Sequence, residues 1–375
     1  MLMAASLALT ACGEGADDAS VYQQRIEKAV AQAKQDAQTD EERRLDNALY
    51  EIGSLFDGYL GIAIVDVERG RTVHFGGNQL FPQQSVSKLW VTLAALEQVD
   101  AGKLSLDEPV LVGYSDLTLF HQPIRNIVLA RGAYTGDFGD LMRRAITASD
   151  NTANDRLLRR IGGPEAVRKT IVRNRLGAIR FGPGERAMQS AIAGLEWRQD
   201  YALERRFYEV RDKVPDEVRA TAFNSYVAKP VDGATPIAIA SALARLARGE
   251  LLEPATTRIF LDLLRDVKSG PNRLKGGVPP GWTIGHKTGT GQEYDSPSRA
   301  GAAEQAGFND VGLLTAPDGA RYAVAVMIGR TAVPVPERMD MMHRVVAAVA
   351  RYHADAKGEP LPDPIASKNG LSNAP

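Results

Sequence analysis

The sequence predicts a mixed α/β (α+β) fold: an antiparallel five-stranded sheet flanked by terminal helices, with an all-helical subdomain inserted after the second strand. Three observations point there. Strand-like runs fall into two groups far apart in the chain, Tyr59 to Phe75 and Trp282 to Ile328. Between the groups, from Ser85 to about Val267, apolar residues recur at helical spacing. A helix-period run precedes the first group and another follows the last, so both can cover one sheet.

In chain order, Leu45, Leu49, Ile52 and Phe56 fall at helical spacing and start the folded domain. Tyr59 to Val67 reads as a strand, Glu68-Arg69-Gly70-Arg71 as a turn and Thr72 to Phe75 as the returning strand. Val86, Leu89, Trp90, Leu93 and Leu96 give an apolar face to a helix opened by Ser85. Leu141, Met142, Ala145 and Ile146 mark another helix. Leu157, Leu158 and Ile161 mark the next, which stops at Gly162-Gly163-Pro164. Thr235-Pro236 opens a helix over Ile237 to Ala247. Strands return at Trp282 to Thr288, Val311 to Thr315 and Tyr322 to Ile328, with the turn Pro317-Asp318-Gly319 joining the last two. Arg338 to Tyr352 closes the domain as an amphipathic helix. The folded domain thus spans 45–355, with its α/β part at 45–80 and 280–355 and its helical part at 81–279.

The 375 residues are 44% hydrophobic and 24% charged, an ordinary globular composition with ample material for a core. Lys and Arg number 45 against 46 Asp and Glu, a net charge of −1 that lacks the basic excess of a nucleic-acid binder. The Arg-rich stretch from Arg156 to Arg180 reads as a solvated helix face. A single cysteine, Cys12, excludes an intrachain disulfide and a cysteine-based metal cluster. Met1 to Ala11 is a short apolar run ending Leu9-Thr10-Ala11-Cys12, which resembles a bacterial lipoprotein signal with its lipobox. Lipidation of Cys12 would anchor the mature chain to a membrane in the periplasm or cell envelope, two or more acyl chains being needed for stable anchoring. Residues 13–44 then read as a small acidic tether and an exposed helix, and 356–375 as a disordered Pro/Ser/Asn-rich tail.

The chemistry lies in three short elements. Ser85-Val86-Ser87-Lys88 sets a serine and a lysine one helical turn apart, on the same side. A serine hydroxyl is a weak nucleophile until a neighbouring base takes its proton, and the neutral amine of a desolvated lysine is such a base. In Ser149-Asp150-Asn151, the serine can relay a proton to a leaving nitrogen, while the asparagine amide can hold both Lys88 and a substrate amide. Lys287-Thr288-Gly289-Thr290-Gly291 ends a strand, offering a cation and two hydroxyls to a carboxylate and bare backbone to an acyl group. The backbone N–H groups of Ser85 and Thr290 are natural oxyanion donors. Each element alone has a bland reading: an N-cap serine beside a surface lysine, a capped helix start, a glycine-rich hairpin end. Their order and contexts together favour the chemical one. The proposed site calls on no metal and no cofactor.

The ordered S-x-x-K, S-D-N and K-T-G set resembles that of the penicillin-recognising serine hydrolases, most closely class A β-lactamases. The resemblance runs from about Leu45 to Tyr352. It takes in Phe81-Pro82-Gln83-Gln84 before the nucleophile, Gly102 to Asp107, Tyr114-Ser115 as a pocket-edge tyrosine, Ser149 to Pro164, and Asp232 to Pro236 as the end of an Ω-loop. It implies a monomeric hydrolase that opens a β-lactam amide, or a D-Ala-D-Ala-like substrate, through an acyl-enzyme on Ser85. Asn151, Lys287, Thr288, Gly289, Thr290 and Tyr114 would bind the substrate.

Two departures bear on chemistry. Class A enzymes free the acyl group with an Ω-loop glutamate. In Arg180-Phe181-Gly182-Pro183-Gly184-Glu185, Gly182 takes that glutamate's place. Glu185, or a later loop glutamate such as Glu196, must then serve. Otherwise the chain is a penicillin-binding D,D-peptidase-like hydrolase with slow deacylation. The segment to Asp232 is too long to be structureless in a compact domain, and Leu195 to Val210 reads as an added helix. The usual arginine of the fourth strand is Asn309, which leaves carboxylate binding to Thr288, Thr290 and Arg330 or Arg338. A pure peptide binder on the same fold has no need of an intact Ser/Lys/Ser/Lys set.

Overall fold

The computed structural model describes residues 38–203, 205–295 and 303–358. The expected signal, lipidated Cys12, most of the tether and the tail from 359 lie outside the described residues. The compact unit that carries the candidate site begins at Leu45.

Five antiparallel strands form the central sheet: β1 (Tyr59–Asp66), β2 (Thr72–Phe75), β3 (Thr283–Thr290), β4 (Phe308–Thr315) and β5 (Arg321–Arg330), in the order β2-β1-β5-β4-β3. The late strands extend past their sequence-read limits because register carries pairing into polar residues, with Phe308 opposite Thr290 and Asn309 opposite Gly289. Alternation sorts the side chains. Leu60, Ile62 and Ile64 of β1 and Tyr322, Val324, Val326 and Ile328 of β5 face one cluster; Ala63, Val65, Ala323, Ala325 and Met327 face the other.

On the first face pack Leu45, Leu49 and Ile52 of helix α1 (Asp40–Ser54), together with the last described helix, Val335–Lys357, through Met342, Val345, Val346 and Val349. On the second face the alanines of the sheet share one core with the alanine-rich Pro236–Ala247 helix. Small residues on both sides let that helix lie close to the strands.

The helical region surrounds α2 (Lys88–Asp100), whose residues from Lys88 to Leu96 are all buried. A helix apolar on every side belongs inside a core. It continues a 3₁₀ turn, Gln84–Ser87, so Ser85 stands at a tight turn on the end of the most enclosed helix. Around it lie α3 (Ile124–Arg131), α4 (Phe138–Thr147), α5 (Asn151–Arg160) and α6 (Gly163–Arg173). The segment from Arg180 to Asp232 holds α7 (Glu185–Ile192), a 3₁₀ turn at Gln199–Ala202, α8 (Arg206–Arg211) and α9 (Asp216–Ala228). The added helix read from Leu195 to Val210 is thus a short turn plus α8. The longer α9 escaped sequence reading because only Phe223 and Tyr226 of it are buried, too few for a periodic stripe. Among the described residues no helix is long and apolar enough to cross a membrane.

Candidate active site

One cavity of about 530 Å³ opens where the end of β3, the start of α2, the turn before α5 and the loop helices α7 and α8 converge. Ser85, Ser149, Asn151, Glu185, Thr288 and Thr290 all line it.

Lys88 Nζ is fully buried and lies 2.9 Å from Ser85 Oγ and 2.9 Å from Asn151 Oδ1. It also pairs with the buried Glu185 carboxylate. Asn151 is fixed from its other end, Nδ2 donating to the carbonyl of Leu119 at 2.9 Å. Asp150 caps α5 by accepting from Ala153 N, and burial raises its carboxyl above the ordinary range.

Lys287 meets the site from behind. It is fully buried, its Nζ donating to Ser149 Oγ at 3.0 Å and to the Thr288 carbonyl at 2.9 Å. Burial first, and the Lys88 charge second, push its amine well below the usual lysine range. A lysine so disposed can exchange a proton with the serine it touches.

Glu185 owes its place to local chain geometry. Pro183 and Gly184 carry the chain past the stem of the loop, Gly184 at φ +103°, and Glu185 starts α7. Its N–H donates to Asp155 Oδ1 at 3.2 Å. Burial, and then the neighbouring Glu185 charge, lift the Asp155 carboxyl to about 6. Gly182, three residues earlier, lies buried beside Met188 and Asp232. Of the two loop glutamates, Glu185 lines the cavity against Lys88, while Glu196 is exposed and outside the cavity lining.

The approach to the nucleophile is clamped by amides. Gln83 Nε2 donates to the Arg180 carbonyl at 2.9 Å, and its Oε1 accepts from Trp90 Nε1 at 2.6 Å. Gln84 bridges the two ends of the loop: Oε1 accepts from Gln189 Nε2 at 2.9 Å, and Nε2 donates to the hydroxyl of Tyr226 at 2.6 Å. Tyr226 donates in turn to Asp232, whose other oxygen accepts the Gln84 N–H at 2.7 Å. Gln189 also donates to Glu185 Oε2 at 3.3 Å. Gln84, Phe120 and Ser149 hold positive φ of 53°, 59° and 57°. Non-glycine residues rarely adopt that region; Phe120 and Ser149 line the cavity, and Gln84 immediately precedes Ser85.

Asn309, which replaces the expected arginine, does not face substrate. It is fully buried and donates to the carbonyls of Pro82 and Gln83 at 2.7 and 3.1 Å, stitching β4 to the turn before Ser85. Arg330 is engaged by Glu304 and Asn224, and Arg338 by Gln305 and Val333; neither lines the cavity. The cation at the β3 end is Arg273, which sequence reading missed. Its Nη2 donates to Thr290 Oγ1 at 2.5 Å and its Nη1 to the carbonyls of Gly289 and Asn309 at 3.0 and 2.7 Å. Its guanidinium lies 3.7 Å from the Phe308 ring centre, and burial lowers it to about 10, still charged at neutral pH. Asp310 holds this segment by accepting from Leu274 N at 3.1 Å and from His286 Nδ1 at 2.9 Å. Ser269 Oγ, 2.7 Å from Thr288 Oγ1, completes the hydroxyl cluster.

Tyr114 is the sequence-read binding residue that the structure moves elsewhere. It is 43% exposed on a short 3₁₀ turn, Tyr114–Asp116, pinned by Asp116 accepting from the Gly113 N–H. The aromatic residues at the cavity edge are Phe120, six positions on with His121 beside it, and Tyr208. Gly289 is required where it stands: a Cβ there would lie 2.4 Å from the Gln83 carbonyl oxygen.

Comparison with known proteins agrees with this geometry. The family model described as "Beta-lactamase enzyme family" matches residues 43–353. The chain is 28% identical over 240 residues to Beta-lactamase SME-1 of Serratia marcescens, covering 64% of this chain and 69% of that protein. It is 25% identical over 293 residues to Beta-lactamase VEB-1 of Pseudomonas aeruginosa, covering 78% and 83%. The crystal structure of a β-lactamase from Chitinophaga pinensis superposes with a TM-score of 0.66 at 26% identity, covering 84% of this chain and 99% of that one. The chain belongs to the β-lactamase enzyme family, as a penicillin-recognising serine hydrolase of the class A kind.

Proposed function

We propose that this β-lactamase turns over through an acyl-enzyme on Ser85 that Glu185 helps to hydrolyse. The observation that carries the reading is the meeting of Ser85 Oγ, Asn151 Oδ1 and the Glu185 carboxylate on one buried amine, Lys88 Nζ. For Lys88 to accept the Ser85 proton, its amine must first be neutral. Glu185, in contact with it, is the group able to hold the displaced proton, so the two act as one coupled pair. Ser85 Oγ then attacks the lactam carbonyl, and the developing oxyanion turns toward the Ser85 and Thr290 N–H groups. The amide C–N bond breaks as Ser149 gives its proton to the leaving nitrogen and recovers one from Lys287, 3.0 Å away. Thr288 and Thr290, the latter held by Arg273, receive the substrate carboxylate. Glu185 then releases its proton to solvent while Lys287 regains one, and the carboxylate takes a proton from the water that attacks the ester carbonyl. As the ester C–O bond breaks, Lys88 returns its proton to Ser85 Oγ, 2.9 Å away.

The reading predicts rapid hydrolysis of a chromogenic cephalosporin and, by time-resolved intact mass with benzylpenicillin, a transient adduct absent in Ser85→Ala. Folded protein that neither turns over nor acquires an adduct would sink it. The slow-deacylating D,D-peptidase-like alternative rested on Gly182 and loses its motive with Glu185 against Lys88; a persistent wild-type adduct would restore it.

We further propose that the mature chain is lipid-anchored in the cell envelope, supported by the apolar run ending Leu9-Thr10-Ala11-Cys12. Expression with labelled palmitate tests it: label must enter the wild type and not Cys12→Ser.

A further inference from the structure

The cavity has a wall that the catalytic motifs do not supply. Tyr208 and Arg211, three residues apart on α8, line it together with Phe120 and His121. Phe120 packs edge-on against Phe207 at 5.1 Å and tilted against Tyr208 at 6.1 Å, making an aromatic cluster. The Arg211 guanidinium stands 5.1 Å from the Tyr208 ring centre, which turns it along that wall. Its Nε and Nη2 both reach one oxygen of Asp212, at 3.2 and 2.9 Å. Asp212 is 60% exposed, so this neighbour neutralises Arg211 only weakly. The other charged lining groups are Glu185, held by Lys88, and Glu293, which lies beyond the end of β3.

A bicyclic lactam bears its ring carboxylate on one side of the reacting amide and its acylamino substituent on the other. With Thr288, Thr290 and Arg273 at the carboxylate end, the α8 wall is left to the acyl substituent. We propose that Arg211, with Tyr208 and Phe120, forms a subsite for acylamino side chains that carry both an aromatic ring and a carboxylate. The ring lies against Phe120 and Tyr208, and the carboxylate meets the guanidinium. This rests on the β-lactamase reading of the same cavity and adds a substrate class to it.

Carbenicillin and benzylpenicillin differ by one side-chain carboxylate, so the ratio of their kcat/KM values isolates the subsite. In Arg211→Gln the ratio should fall roughly three- to fivefold, as for a partly exposed charge pair. It should fall further in Arg211→Glu and be largely kept in Arg211→Lys. Arg206→Gln, whose side chain pairs with Asp200 and Glu209, should leave it unchanged. In the wild type, added salt should lower the ratio, a readout that needs no variant to fold. An unchanged ratio in Arg211→Gln, or a salt-independent one in the wild type, overturns the subsite while benzylpenicillin turnover leaves the hydrolase reading intact. Failure of both penicillins to acylate Ser85 overturns the hydrolase reading, and the subsite with it.

Discussion

Glu185→Gln is the substitution that separates acylation from release. Glutamine keeps the shape of the buried side chain and can still accept from Gln189 Nε2, now 3.3 Å from Oε2. It cannot take a proton. Loss of a positioned general base costs about 10²- to 10⁴-fold, or roughly 3–5 kcal/mol of barrier, and the loss falls on the step in which water attacks the ester. Acylation should suffer less, since Ser85 Oγ and Asn151 Oδ1 still flank Lys88 Nζ at 2.9 Å. Stability should fall as well. Breaking a buried ion pair costs about 3–5 kcal/mol if the remaining charge persists, and less if Lys88 sheds its proton into the vacated network. The assay is intact mass after mixing with benzylpenicillin, beside urea unfolding of the same preparation. The adduct should still form, more slowly than in the wild type because Glu185 no longer takes the Lys88 proton, and persist at least a hundred times longer, on the scale set by the lost base. An adduct that disappears at the wild-type rate would falsify the role given to Glu185.

Three further outcomes are expected. Gly289→Ala puts a Cβ 2.4 Å from the Gln83 carbonyl oxygen where ordinary contact begins at 3.4 Å, forcing a shift of about 1 Å at the end of β3. Displacement of that size costs about a hundredfold, so near-wild-type kcat/KM would show that this edge does not position substrate. Arg273→Ala should lower kcat/KM by about ten- to a hundredfold, the worth of a charged hydrogen bond at about 1.5–3 kcal/mol. It should raise KM more than it lowers kcat, and an effect on kcat alone would contradict its place at the carboxylate end. Burial raises Asp155 and Asp232 from 3.8 to about 6, so the folded state holds their protons more tightly than the unfolded chain does. Stability is then greatest below about pH 4 on this account and declines as pH rises through about 6, by about 3 kcal/mol per group (6 − 3.8 = 2.2 units). Asp232→Asn should remove about half of that slope in urea midpoints measured from pH 4 to 7; an unaltered slope refutes the assignment.

Residues joined by short-range spacing were legible in the sequence. Ser85 and Lys88 sit one turn apart whatever packs around them, and Ser149 with Asn151 is bound to a helix start that Asp150 caps. Glu185 was offered by the sequence only as one of two loop glutamates beyond Gly182; its place against Lys88 depends on the turn through Pro183 and Gly184, which the sequence reading did not use. What failed depended on distant partners. Arg273 lies in an irregular segment without period, and only its contacts with Gly289, Asn309 and Phe308 give it a role. Asn309 read as a missing arginine, yet its partners Pro82 and Gln83 are more than 200 positions away, which no local pattern reveals. Tyr114 was matched by its neighbours in sequence, whereas the chain turns into the cleft only at Phe120, where φ is positive. In the fold, β1, β2 and the late strands declared themselves by alternation and turn residues; α9 could not, having too little to bury.

The enclosure of α2 has a consequence for any mutational survey of this enzyme. Lys88 belongs to the reaction centre, and the eight residues that follow it are buried behind it in the middle of the core. A substitution there lowers the fraction of folded molecules and the competence of each folded molecule together, so resistance conferred on a host cell reports only their product. Selection acting on that helix cannot trade one against the other. Adaptation to a new antibiotic is therefore expected to accumulate at Tyr208 and Arg211 of α8, which line the cavity and lie outside the buried clusters.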